Sequence, residues 1–244
     1  MRSRFYFLFA LKALAAPIGN PASSAILQEG LLISDTVWTQ PRVGFFEDFT
    51  LNHRLVGSSL KNVSLEGTSI VGSLVWSMFE RLDIALLLGS GQNTFRMMQG
   101  TKALETRVSG GLIWYGEGKL ILLEVQDTTF SAFGEAGGWD WMTGPFYADD
   151  RPVASNAHLK MRFWETGVAL SQQIGFFSPY LGVVVMHSRW KMDHTSLGIL
   201  RFHQKYPVGP FLGCTLSKGV KILLNIEWRG WVENALALSG EVRF

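Results

Sequence analysis

The chain has 244 residues, 47% of them hydrophobic, with 26 Gly, 17 Phe, 9 Trp, one Cys and a formal net charge of +2. Past the N-terminal stretch no segment approaches the 18 or so consecutive apolar residues of a membrane-spanning helix, which excludes a helical membrane protein. The single cysteine, Cys214, excludes an intramolecular disulfide and a thiolate metal centre, and its expected role is that of a small buried hydrophobe.

Met1 to Arg4 form a basic start, and Phe5 to Ala16 are apolar apart from Lys12. Ala13-Leu14-Ala15 makes an A-x-A cleavage site, with Ala13 and Ala15 as the marker residues, and Pro17, Gly19 and Pro21 follow. Residues 1–15 are therefore expected to be a removable export signal, residues 16–42 an extended segment, and residues 43–244 one folded unit. Without Arg2, Arg4 and Lys12 the 22 basic residues become 19 against 20 acidic ones, and +2 becomes −1. No basic block survives, so nucleic acid is not an expected partner.

Ten segments then carry strand character, near residues 43–54, 69–79, 82–91, 103–115, 119–130, 157–173, 178–193, 205–217, 219–231 and 234–244. Each suits the roughly 9–11 residues of a tilted transmembrane strand. In the ninth, Val220, Ile222, Leu224, Ile226 and Trp228 alternate with Lys221, Leu223, Asn225, Glu227 and Arg229. In the second, Ile70, Leu74, Trp76 and Met78 oppose Ser69, Ser73 and Ser77, and in the fifth Ile121, Leu123 and Val125 oppose Glu124, Gln126 and Thr128.

The connections after the second, fourth, sixth and eighth segments read as short, at Glu80-Arg81, Gly116-Glu117-Gly118, residues 174–177 and Ser217-Lys218. The alternate connections read as longer, above all residues 131–156 with their Gly, Pro and Asp. Short turns at one end and long loops at the other are the membrane-barrel arrangement. Two places resist the pattern. The sixth segment changes phase near Phe163-Trp164, which suggests a bulge, and the seventh is apolar on both faces from Leu181 to Val185.

The end of the chain completes the argument, because Leu236, Leu238, Val242 and Phe244 fall on one face and Ala237, Ser239, Glu241 and Arg243 on the other. A C-terminal strand that ends on an aromatic is expected to act as the barrel-assembly signal. The fold class is all-β: a single antiparallel transmembrane β-barrel of about ten strands in the bacterial outer membrane. Eight or twelve strands also fit, in particular if Ala25 to Ile33 pairs with another segment.

Several stretches resemble the chlamydial major outer membrane protein family of porins. Ala16-Pro-Ile-Gly-Asn-Pro21 with Glu29-Gly30 is similar to the start of its mature members, Glu47-Asp48-Phe49 resembles a Gly-Asp-Phe in their first strand, and Trp76 to Asp83 resembles a Trp-Asp-Arg-Phe-Asp turn. The most specific part runs from Trp164 through Ala169-Leu170-Ser171 to Phe177-Ser-Pro-Tyr-Leu-Gly-Val183, followed at the chain end by Val242-Arg243-Phe244. This chain is shorter than those porins and lacks their multiple cysteines, so disulfide cross-linking of the envelope does not carry over.

The resemblance implies passive diffusion of ions or small hydrophilic solutes. Arg107, Glu124, Gln126, Lys160, Arg162, Lys221, Asn225, Glu227, Arg229, Glu241 and Arg243 are the expected lumen-lining residues. About eight strands leave an interior just filled by side chains, so a non-conducting surface or structural barrel, an adhesin or antigen, is the alternative. A remoter one is an omptin-like rim protease using Asp149, Asp150, Asp193 and His194. No histidine spacing suggests a metal site, and no catalytic residue, cofactor or enzymatic activity is expected. The expected partners are outer-membrane lipid, periplasmic chaperones, the barrel-assembly machinery and a second copy of the chain.

Overall fold

Side-chain alternation and hydrogen-bond closure organise the whole molecule. In a computed structural model the structure describes residues 41–57, 61–78, 81–99, 102–148, 151–154, 156–194, 198–218 and 222–243. The described residues form thirteen strands: β1 Arg42–Gly57, β2 Lys61–Met78, β3 Leu82–Gln99, β4 Lys102–Val125, β5 Thr128–Met142, β6 Phe146–Ala148, β7 Arg151–Ala154, β8 Ala157–Gln172, β9 Phe177–His194, β10 Gly198–Gln204, β11 Val208–Lys218, β12 Ile222–Arg229 and β13 Asn234–Arg243. Ten of them close a ring in the order β1-β2-β3-β4-β5-β8-β9-β11-β12-β13, with β13 returning to β1. Every pairing is antiparallel.

The count of ten holds, although two of its segments move. Gly116-Glu117-Gly118 is not a turn: β4 runs straight through it for 24 residues, and the turn is Gln126-Asp127. The stretch from Ser131, expected to be loop, is instead mostly strand β5, paired without a register shift from Thr128↔Gln172 to Met142↔His158. Merging two segments and gaining one leaves the total unchanged. The connections after the first and third strands are also shorter than expected, because β1, β2 and β3 extend to leave only residues 58–60 and 100–101 between strands. The hairpin β6–β7 stands in the connection between β5 and β8, and β10 in that between β9 and β11. β10 pairs with β9 on one side and with the far end of β1 on the other.

On the outside each barrel strand presents large apolar side chains: Phe45, Ile70, Leu86, Leu112, Phe130, Leu170, Leu181, Leu212, Leu224 and Leu238 are all more than a third exposed. In water such a continuous band would be a severe aggregation liability, while against lipid chains it is the required surface. The end bearing the tight turns 126–127 and 173–176 is the periplasmic one, and the end bearing β6, β7 and β10 faces outward from the cell. The described residues contain no helix long and apolar enough to cross a membrane, and strands do the crossing. The expected signal at residues 1–15, with Ala13 and Ala15, and most of the 16–42 segment lie outside the described residues.

Both anomalies of the sequence have the same cause. β8 has no bulge: inward Leu159, Met161, Phe163 and Glu165 alternate with outward Lys160, Arg162 and Trp164 throughout. What changes is the environment, since above the bilayer the outside is water and the inside must be apolar. On β9, Leu181, Val183 and Val185 face lipid while Val184 and Met186 face an apolar interior, so both faces read as hydrophobic.

Candidate functional site: the lumen

The lower interior is built from charges. The Arg42 guanidinium is held by Asp83 and, at 3.3 Å, by Glu241. Lys119 contacts Glu117 at 3.0 Å. Arg229 contacts Asp48 at 2.8 Å, Glu233 at 3.1 Å and Glu227 at 3.6 Å, with its side chain only 3% exposed. The Tyr180 hydroxyl lies 2.9 Å from Glu227 Oε2 and 3.0 Å from Asn225 Oδ1, which also accepts from Thr215 Oγ1 at 3.0 Å. His53 Nδ1 is 3.4 Å from Glu233 Oε2. Charges removed from bulk water need such partners, because an isolated buried ion is very costly.

Strand register sets the acidic character of this network. Glu117 on β4 lies opposite Glu135 on β5, and Glu135 lies opposite Glu165 on β8, so three inward glutamates form one row. Among the described residues the buried or half-buried inward carboxylates are Asp48, Asp83, Glu117, Glu135, Glu165, Glu227, Glu233 and Glu241, against the cations Arg42, Lys119 and Arg229.

Above the charges the lumen is filled by aromatic rings. Trp139 meets Trp141 edge-on at 4.9 Å and Trp190 at 6.2 Å, and Trp141 stacks on Trp190 at 6.4 Å. Phe95 and Phe202 meet at 5.6 Å, and Phe146 covers His194 at 5.3 Å. All three tryptophans are 1% exposed. Trp190 Nε1 donates to Ser188 Oγ at 3.0 Å, and the Gln204 amide ties β10 to β9 by accepting from Ser188 N and donating to the Met186 carbonyl. Small residues make room for the rings: a Cβ on Gly111 would sit 1.6 Å from Trp141 Cδ1.

The residues expected to line the lumen divide. Glu227, Arg229, Asn225 and Glu241 point inward, with Glu227 and Arg229 fully buried. Arg107, Lys160 and Arg162 face outward above the lipid band, and Arg162 lies over the Trp114 ring at 5.7 Å. Glu124 and Gln126 are exposed at the periplasmic turn, Gln126 with a φ of 53°. Leu123 and Val125 are exposed there as well, while Ile121, expected on the lipid face, is buried inside because the register shifts between Ile121 and Leu123. Lys221, Phe244 and the Arg243 side chain lie outside what is described. Of the assembly-signal residues, Leu238 and Val242 face lipid and Leu236 is half-buried on the same face. Cys214 is only half-buried, not a core residue, because it falls on the outward face of β11.

Of the residues expected for a rim protease, Asp193 and His194 fall on opposite sides of the wall. Asp193 points outward, 3.5 Å from Lys191, whereas His194 points inward. Asp149 and Asp150 lie outside the described residues. The sequence reading missed Arg42, Asp48, Asp83, Glu117, Lys119, Glu135 and Glu165. The signal for three of them, Glu117, Lys119 and Glu135, was the unbroken alternation of β4 and β5 through their glycines.

No protein-family model and no curated protein sequence matches the chain. Among solved structures it is similar to the outer membrane protease OmpT from Escherichia coli, at 10% identity and a TM-score of 0.52, over 87% of this chain and 99% of that one. It is also similar to the translocator domain of the autotransporter NalP from Neisseria meningitidis, at 10% identity and a TM-score of 0.46, over 95% of this chain and 100% of that one. At such identity the likeness concerns the fold, and the OmpT match agrees with the closed ring of hydrogen bonds. With its belt of outward apolar side chains, the chain is a closed ten-stranded antiparallel β-barrel of the bacterial outer membrane.

Proposed function

We propose that the chain acts as a closed, non-conducting barrel that displays β10 and the β6–β7 hairpin at the cell surface. The observation that carries this reading is the tryptophan cluster of Trp139, Trp141 and Trp190, buried across the lumen at 1% exposure each. A path for hydrated ions needs a continuous polar void, and close-packed rings leave none. The hairpin that carries the resemblance to chlamydial porins, Trp164 to Val183, is the β8–β9 turn at the periplasmic end, and it supports kinship in fold rather than throughput.

The refolded chain in a planar bilayer should give no discrete conductance steps, and W139A/W141A/W190A should give them. Reproducible steps from the unaltered chain would refute the reading. They would support a second one, porin-like diffusion, which the charged lower lumen favours. Its carboxylate excess would then make the current cation-selective.

A further inference from the structure

We propose that the outer wall formed by β8, β9 and β10 binds the phosphorylated head groups of anionic lipid in the outer leaflet. Strand register lines up basic residues in two rows. Lys160 lies opposite Lys191, and Lys191 opposite Arg201; Arg162 lies opposite Arg189, and Arg189 opposite His203. All six face outward, His203 and the arginines exposed and the lysine side chains 46–47% exposed. Like charges directly opposite across strands are destabilising, so such rows need a compensating anion.

The chain supplies that compensation elsewhere. On the opposite wall Arg96 is held by Glu66 at 2.6 Å and Glu105 at 2.9 Å. Near these rows the carboxylates stand only at the upper margin, Asp140 of the neighbouring β5 at 3.4 Å from Lys160 and Asp193 of β9 at 3.5 Å from Lys191. Among the described residues no ion pair engages Arg162, Arg189 or Arg201. The basic side chains line one concavity of about 770 Å³, together with His187.

Height on the wall selects the source of the anion. Below the rows, past Trp164 and Thr166 on β8 and His187 on β9, come the lipid-facing Val168 and Leu170 on β8 and Leu181, Val183 and Val185 on β9. Trp164, stacked on His187 at 5.9 Å, marks the boundary in the manner of an interfacial aromatic. Arg162 is the next outward position above Trp164, about 6–7 Å along the strand and less after tilt, which puts it within the head-group layer. A soluble polyanion would meet a patch farther from the bilayer, whereas lipid phosphate lies at this level. Guanidinium groups suit it, because they bind phosphate oxygens in pairs.

The test refolds the full chain in zwitterionic micelles and reads retained lipid by native mass spectrometry. The probes are bis-phosphorylated lipid A, the same lipid A with its phosphates removed, and a heparin fragment. The unaltered chain and R107Q, an outward arginine on β4, should retain bis-phosphorylated lipid A equally and the dephosphorylated form hardly at all. R162Q/R189Q/R201Q should bind it roughly tenfold more weakly or worse. Equal retention by this variant, or equal binding of dephosphorylated lipid A, would overturn the proposal. Heparin bound more tightly than lipid A would also overturn it, in favour of a soluble polyanion. If the triple variant does not refold, the single variants decide: each should bind roughly threefold more weakly, and no change in all three refutes the site.

Discussion

Arg229 offers a way to measure whether the lumen is dry. Its guanidinium meets three carboxylates between 2.8 and 3.6 Å, and its side chain is 3% exposed. If the cluster is sealed from water, Arg229→Met leaves Asp48, Glu227 and Glu233 without their shared cation and should cost about 3–5 kcal/mol. If the lumen were a water-filled pore the same contacts would be screened, and the loss should stay within about 1 kcal/mol. The internal reference is Arg96, whose side chain is 43% exposed between Glu66 and Glu105; Glu105→Gln should cost about 0.2–1 kcal/mol. Urea unfolding of the barrel in phospholipid vesicles, followed by tryptophan fluorescence and by heat-modifiable gel migration, gives both numbers. Raising salt to about 0.5 M should narrow the gap between Glu105→Gln and the unaltered chain but leave Arg229→Met unmoved. A loss below about 1 kcal/mol for Arg229→Met would refute the closed lumen.

Leu224→Arg should destabilise by about 2–4 kcal/mol in the same assay, since Leu224 faces lipid between Ile222 and Ile226. Asn225→Arg should also be costly, because the Tyr180 and Thr215 hydroxyls converge on the Asn225 side chain; equal stability to the unaltered chain would show that this inward contact is not formed. Gly111→Ala should cost about 1–3 kcal/mol and alter the tryptophan emission, because the new methyl occupies the place of the Trp141 ring. Trp139→Ala should cost about 3–5 kcal/mol, and a loss under about 1 kcal/mol would mean that the rings are loosely held.

Where one face of a strand met lipid and the other met charge, the sequence was readable. Ile222 to Arg229 and Ser69 to Met78 alternate in the structure as they do on paper. Two kinds of residue were misleading. Gly116, Gly118, Gly137 and Gly138 suggested turns, but these glycines sit within strands; a Cβ on Gly137 would come within 2.3 Å of the Tyr115 Cβ, so glycine there serves close packing. The real turn, Gln126-Asp127, contains no glycine at all. The second error was to equate polar with inward along whole strands. That rule holds inside the bilayer and inverts above it, which is why Lys160, Arg162 and Arg107 were assigned to the lumen and stand outside. The charged cluster itself was out of reach, because Arg42, Asp83 and Glu241 come together only when β13 closes on β1.

The double pairing of β10 makes this barrel a vessel with a neck. At the level where β10 joins β9 to β1, it replaces β11, β12 and β13 in the circuit, so a wall of ten strands narrows to eight. Barrel diameter scales with strand number, and eight strands enclose only what side chains can fill, so the tryptophan stopper follows from the taper of the wall itself. The seam between β1 and β10 consists of three residue pairs, Leu55↔Gln204, Val56↔His203 and Gly57↔Phe202, and any wider state of the barrel must unzip there first.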